Sequence, residues 1–138
     1  MESVMHSVEV TVRSGDRLVS DLTGELTGFC RGRGDGLVNV FVPHATAGVG
    51  LMEVGSGSEA DLAAALDRLL PLDAAYRHRH GSPGHGRDHV LPVFVGCSIS
   101  LPVQGGRPLL GTWQHLVLVD SNRDNPERRV RLSFLPAG

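Results

Sequence analysis

Apolar and polar positions alternate one for one along much of this chain, and in one stretch they recur instead at helical spacing. Val8, Val10 and Val12 alternate with Ser7, Glu9, Thr11 and Arg13. That is the period of a strand with one buried and one wet face. Residues 36–44, GLVNVFVPH, predict a strand that ends at a proline, and residues 49–54, VGLMEV, predict another. Further strands are expected at 90–95 (VLPVFV), 97–103 (CSISLPV), 108–111 (PLLG), 115–120 (HLVLVD) and 129–136 (RVRLSFLP). Gly-Gly, Gly-Thr and Asn-Arg-Asp-Asn turns separate the later ones. In the last strand Val130, Leu132 and Phe134 point one way, and Arg129, Arg131 and Ser133 the other.

Two segments carry the helical period. Asp21 precedes Leu22, Leu26 and Phe29, which predicts a short helix with an Asp cap, weakened by Gly24. Ser58, with Asp61 three residues on as a capping-box partner, opens a longer helix. Leu62, Leu66, Leu69 and Leu70 form its apolar stripe, and Pro71 stops it. RGRGDG, residues 31–36, is a loop, so its Arg33-Gly34-Asp35 tripeptide is a turn. The expected fold is α+β: a mainly antiparallel β-sandwich with one principal helix and a short N-terminal helix. No repeat or linker divides residues 1–138, which are expected to form a single domain.

Composition narrows the function classes. A chain of 138 residues can bury a core without disulfides or a structural metal. Its formal net charge of −2 argues against an extended nucleic-acid-binding face. All thirteen basic residues are arginine, a bias that fits genome composition. Cys30 and Cys97 form no CxxC and no framework, which favours free thiols in a reducing, cytoplasmic setting. No signal-peptide pattern opens the chain, and no apolar run is long enough to span a membrane.

Candidate chemistry centres on histidine. Residues 76–90, YRHRHGSPGHGRDHV, hold four of the seven histidines. Imidazole is a common ligand for zinc, and three protein ligands with an open position make a catalytic site. The spacing matches no zinc finger and no HExxH. His78 and His89 lie where the loop leaves a helix and enters a strand. His80 and His85 sit beside glycines at the expected loop tip and are the weaker candidates; a solvated, glycine-rich loop is the competing reading. His6 and His115 are isolated. His44 follows a strand in PHATAGVGLMEV, where Thr46 could bond nearby backbone and Glu53 stands in an otherwise apolar strand.

That segment resembles the His-Thr-(Thr/Ser)-Ala … Asn-Glu motif of the YjbQ-like proteins, also called secondary thiamine-phosphate synthases. The resemblance continues in order through the helix with Asp61, Pro71, Tyr76-x-His78, His89 and Gly96-x-Ser98. It then runs through Leu101-Pro102-Val103, Gly111-Thr112-Trp113-Gln114 and Arg128-Arg129, covering about residues 7–136. It implies a compact YjbQ-like fold assembled as a homotrimer, with a pocket near subunit contacts where His44, His78 and His89 gather, Glu53 and Thr46 nearby. His80 and His85 fall on no family position. Two departures stand out: Ala45 replaces the usual Thr or Ser, and Met52 replaces the Asn before the glutamate, removing an amide donor and acceptor beside Glu53.

The activity implied by the resemblance joins a thiazole phosphate to a pyrimidine pyrophosphate with release of pyrophosphate, a transferase reaction. On that basis His44, Glu53 and His89 are candidate catalytic residues. Thr46, Trp113, Gln114, Arg128 and Arg129 are candidate substrate contacts. His44, His78 and His89 are candidate ligands of a divalent metal, zinc or magnesium. The alternatives are a metal-dependent hydrolase or lyase with Glu53 as general base, and a binding protein for a small anionic metabolite. Trp113, the only tryptophan, is expected at a subunit contact, at a pocket wall or in the core.

Overall fold

The computed structural model describes residues 4–79, 81 and 84–138. Strands β1 (His6–Arg13), β2 (Val19–Asp21), β3 (Gly36–Phe41), β4 (Ala47–Met52), β5 (Ser98–Gln104), β6 (Arg107–Pro108), β7 (His115–Asp120) and β8 (Glu127–Pro136) alternate with helices α1 (Thr23–Cys30), α2 (Ser58–Leu69), α3 (His85–Asp88) and α4 (Leu91–Val95). The class is α+β. All strand pairs are antiparallel, in a five-stranded sheet ordered β1-β8-β3-β5-β6 and a three-stranded sheet ordered β2-β7-β4.

The alternation decides which face each strand buries. Val38 and Val40 of β3, Leu101 and Val103 of β5, and Val130, Leu132 and Phe134 of β8 turn inward from the large sheet. They meet Ala47 and Val49 of β4, Leu116 and Leu118 of β7, and Leu26 and Phe29 of α1. The small sheet is covered on its other face as well. Val117 and Val119 pack with Leu66 and Leu70 of the α2 segment and with Leu91 of α4. That double burial explains why β7 reads as a continuous apolar run. The outer face of the large sheet keeps Leu37, Phe41 and Leu135 exposed.

Several local expectations are corrected. VLPVFV is not a strand: Leu91–Val95 is helix α4, with Pro92 in its first turn, where a missing N–H removes no helical hydrogen bond. Ser58 is the first residue of α2 and not its cap; Gly57, at φ 100°, takes the cap position with no side-chain hydrogen bond. Asp21 stands one residue before the Leu22 cap of α1, and its carboxylate accepts from the Thr23 N–H at 2.9 Å. The strand expected at 108–111 is confined to Arg107–Pro108. The strand expected at 49–54 runs from Ala47 to Met52, so Glu53 falls just past its end. Among the described residues no helix is long and apolar enough to cross a membrane.

Candidate functional site

The site lies at the ends of β7 and β8. Arg128, the second residue of β8, is in phase with Val130, Leu132 and Phe134, so its side chain enters the interior. There it meets Asp120, the last residue of β7. Nε donates to Oδ2 at 2.7 Å and Nη2 to Oδ1 at 2.9 Å. Nη2 also donates to Thr46 Oγ1 at 2.9 Å. Asp120 further accepts from Ser14 Oγ at 2.7 Å and from the Asn122 N–H at 3.0 Å. Charge pairing and several donors together compensate for burying both ions.

Asn122 extends this network toward the histidines. Its Oδ1 accepts from the N–H groups of Asp124 and Asn125 at 2.8 and 3.2 Å. Its Nδ2 donates to Asp88 Oδ2 at 3.2 Å and lies 3.0 Å from His85 Nδ1. The same Nδ1 stands 3.1 Å from Asp124 Oδ2.

Helix α3 turns His85 inward and His89 follows it by one helical turn, so both rings share a face. Their Nε2 atoms are 2.9 Å apart. His78 completes the group from the segment after α2, its ring centroid 4.0 Å from that of His89 and 5.1 Å from that of His85. One potential ligand atom from each of the three lies within 4.8 Å of the others. Gly86 permits this approach, since a Cβ there would come within 2.5 Å of the Tyr76 Cβ and 2.7 Å of the His78 carbonyl oxygen. A cleft of about 430 Å³ opens beside the rings, lined by Tyr76, His78, Arg79, Gly81 and His85 among others.

The sequence-based site is therefore redrawn. Two of the three expected imidazoles, His78 and His89, do meet. The third partner within the chain is His85, by sequence one of the weaker candidates at an expected loop tip and in the structure buried on a short helix. His80 lies outside the described residues. His44 is engaged elsewhere: its Nε2 accepts from the Arg129 N–H at 2.9 Å. Desolvation, followed by the positive charges of Arg128 and Arg129, holds its pKa below the ordinary 6.5. Glu53 stands just past β4, half-buried and outside the histidine group.

The expected substrate contacts are placed as follows. Thr46 is buried and occupied with Arg128. Arg128 itself is only 1% exposed and tied into the interior, which fits a structural clamp better than a phosphate cradle. Arg129 is exposed, its guanidinium 3.9 Å from Glu9. Gln114 Oε1 accepts from the Gly111 N–H at 2.8 Å, closing the turn before β7. Trp113 in that turn is 70% exposed, which excludes burial in the core of the chain. His115 pairs with Asp21 at 3.2 Å.

Two of these placements carry a signal in the sequence. His85 and His89 have i, i+4 spacing, and Arg128 continues the inward phase of its strand. Nothing in the sequence pattern singles out Asn122 or Asp124.

A fold with these two antiparallel sheets is already seen in other proteins. The chain belongs to the YjbQ-like family of UPF0047 proteins, which it matches over residues 7–137. It is 60% identical over 124 residues to a UPF0047 protein of Mycobacterium tuberculosis, covering 90% of this chain and 93% of that one. Against UPF0047 protein YugU of Bacillus subtilis the identity is 27% over 133 residues, covering 92% and 95% of the two chains. The crystal structure of a hypothetical protein from Aeropyrum pernix superimposes with a TM-score of 0.86 at 30% identity, covering 95% of this chain and 98% of that one. A YbjQ-like protein of unknown function from Sulfolobus solfataricus shares the fold at a TM-score of 0.90, with 21% identity and coverage of 98% and 99%.

Proposed function

We propose that this protein is a metal-dependent enzyme acting on small phosphorylated molecules, with His78, His85 and His89 as the ligands of a divalent ion. The observation that carries this reading is the convergence of three imidazoles beside an open cleft. Nitrogen ligands about 2.0–2.1 Å from a tetrahedral zinc stand roughly 3.3 Å from one another. The 2.9 Å Nε2 pair and the 4.8 Å span of the group bracket that spacing. Neutral imidazoles suit zinc far better than magnesium, which prefers oxygen ligands. Such an ion, when bound, supplies electrophilic stabilisation to phosphoryl oxygens.

The chain's own residues supply the rest. Arg79 on the cleft wall adds a positive charge for an anionic substrate. Gly81 and Gly84 also line the cleft. The specific reaction we assign is the one implied by family resemblance: attack of a thiazole phosphate on a pyrimidinylmethyl pyrophosphate, with departure of pyrophosphate. That transfer needs a cradle for the leaving group and no base to activate water. We further read the protein as a cytoplasmic homotrimer. Free thiols at Cys30 and Cys97 and the exposed apolar side chains Val93, Phe94 and Trp113 support this reading.

Elemental analysis and pyrophosphate release together test the proposal. Stoichiometric zinc is expected in the wild type and in His44→Ala, and little in His85→Ala or His89→Ala. Pyrophosphate release is expected to require both substrates. Wild-type protein that takes up no metal would overturn the metal reading, and release without the thiazole phosphate would overturn the transfer.

A further inference from the structure

His85 has two neighbours of opposite hydrogen-bonding sense at one nitrogen. Asn122 Nδ2 lies 3.0 Å from Nδ1 and can only donate. Its orientation is pinned, because turning the amide over would set Nδ2 against the N–H groups of Asp124 and Asn125 and Oδ1 against the Asp88 carboxylate. Asp124 Oδ2 lies 3.1 Å from the same Nδ1, and an ionised carboxylate can only accept. A neutral imidazole carries one ring proton. If Nδ1 holds it, Nε2 keeps a lone pair that accepts from His89 Nε2, 2.9 Å away, or ligates an ion. If Nε2 holds it, that lone pair is gone.

We infer that Asp124 is a positioning residue that fixes His85 in its Nδ1–H tautomer, leaving Nε2 as the lone-pair donor of the three-histidine centre. This inference rests on the metal reading above and adds a residue that touches neither the ion nor the cleft. The full charge of a carboxylate 3.1 Å away favours a proton on Nδ1 more than a neutral amide disfavours it, so Asp124 prevails over Asn122. A carboxylate behind a ligating imidazole also raises the basicity of its far nitrogen. The side chain of Asp124 is 34% exposed, so it can be replaced without opening a core cavity. Asn122 has a complementary effect: by opposing Nδ1–H it keeps the preference dependent on the carboxylate.

The test compares wild type, Asp124→Ala and Asp124→Glu, first without metal and then with zinc. Ring-nitrogen NMR at about pH 8, above the ordinary imidazole range, reads the tautomer of His85 directly. The wild type is expected to show Nδ1–H, Asp124→Ala to shift to Nε2–H as Asn122 donates to Nδ1, and Asp124→Glu to recover Nδ1–H. Zinc affinity is expected to fall about 10–100-fold in Asp124→Ala and to be at least partly restored in Asp124→Glu. An Nε2–H tautomer in the wild type, or an Asp124→Ala protein with unchanged tautomer and zinc affinity, would overturn the inference. A wild type that binds no zinc would instead overturn the metal reading, and the tautomers of the metal-free proteins would still decide the role of Asp124.

Discussion

Arg128 and Asp120 form a closed pair inside the protein, joined by hydrogen bonds of 2.7 and 2.9 Å, with both side chains 1% exposed. The pair ties the first residues of β8 to the last residue of β7. Through Thr46 it also holds the chain just before β4. Three segments that surround the site are thus fixed by one guanidinium.

Removing that guanidinium leaves a buried carboxylate without its countercharge. Arg128→Met is expected to destabilise the fold by about 3–5 kcal/mol. Thr46→Val, which deletes one acceptor and leaves Nη2 short of a partner, is expected to lose about 1–3 kcal/mol. Urea unfolding of the three proteins checks both values. If Arg128 were instead a solvent-facing phosphate ligand, Arg128→Met would unfold at the same urea concentration as the wild type and lose only substrate affinity.

His44 makes stability depend on pH. Its Nε2 accepts from the Arg129 N–H, and only an unprotonated nitrogen can accept. Burial and two nearby arginines oppose its protonation as well. Its pKa is therefore lower folded than unfolded. As pH falls through the unfolded value near 6.5, the unfolded chain binds the proton first. The contribution is fully present above that pH, declines as pH drops toward the lowered folded pKa, and is constant below it. Thermal midpoints measured from about pH 5 to 7.5 are expected to rise with pH more steeply in the wild type than in His44→Asn. Parallel curves would show that His44 does not titrate differently in the two states.

Much of the frame was legible because burial follows strand alternation. Val8 to Val12, Val38 to Val40 and Val130 to Phe134 each declare a face, and β1, β3 and β8 lie where those runs predict. VLPVFV was misread for a physical reason. A short apolar run has no period that separates a strand from a buried helical turn, and Pro92 acts as a helix start only once Val90 precedes it in helical geometry. His85 was misread because glycines on both sides suggested a solvated loop. Gly84, at φ 85°, instead caps α3, and Gly86 lets the helix lie against Tyr76 and His78. The Asn122 network connects β7 to α3 across chain separations of 34 and 37 residues, and local spacing carries no trace of such contacts.

Gly86 supplies a prediction that separates packing from ligation. An added methyl would press on the Tyr76 side chain and the His78 carbonyl, neither of which can yield without moving the backbone that carries His78. Gly86→Ala is expected to lose roughly 1–3 kcal/mol of stability and to weaken zinc binding, although it removes no ligand atom. Gly24→Ala is the control: no heavy atom lies within 4 Å of a Cβ at that position. It should raise stability slightly through helix propensity and leave zinc affinity unchanged. Equal zinc affinity in both variants would show that His78 does not depend on the close approach of α3.

Trp113 would report on the assembly proposed above, because its environment in the single chain is so open. At 70% exposure the indole stands in water, in a turn held by the Gln114–Gly111 hydrogen bond. A tryptophan placed this way on a protein surface is a common anchor at the centre of an interface. In the proposed homotrimer its emission is expected to lie to the blue of an exposed indole, and to move red on dilution in step with loss of trimer mass by sedimentation. Trp113→Ala should shift that equilibrium toward monomer while leaving the monomer's urea midpoint nearly unchanged, since the indole makes little of the core. A trimer whose emission and stability ignore both dilution and Trp113→Ala would place the tryptophan away from the subunit contact and leave it to the substrate side of the fold.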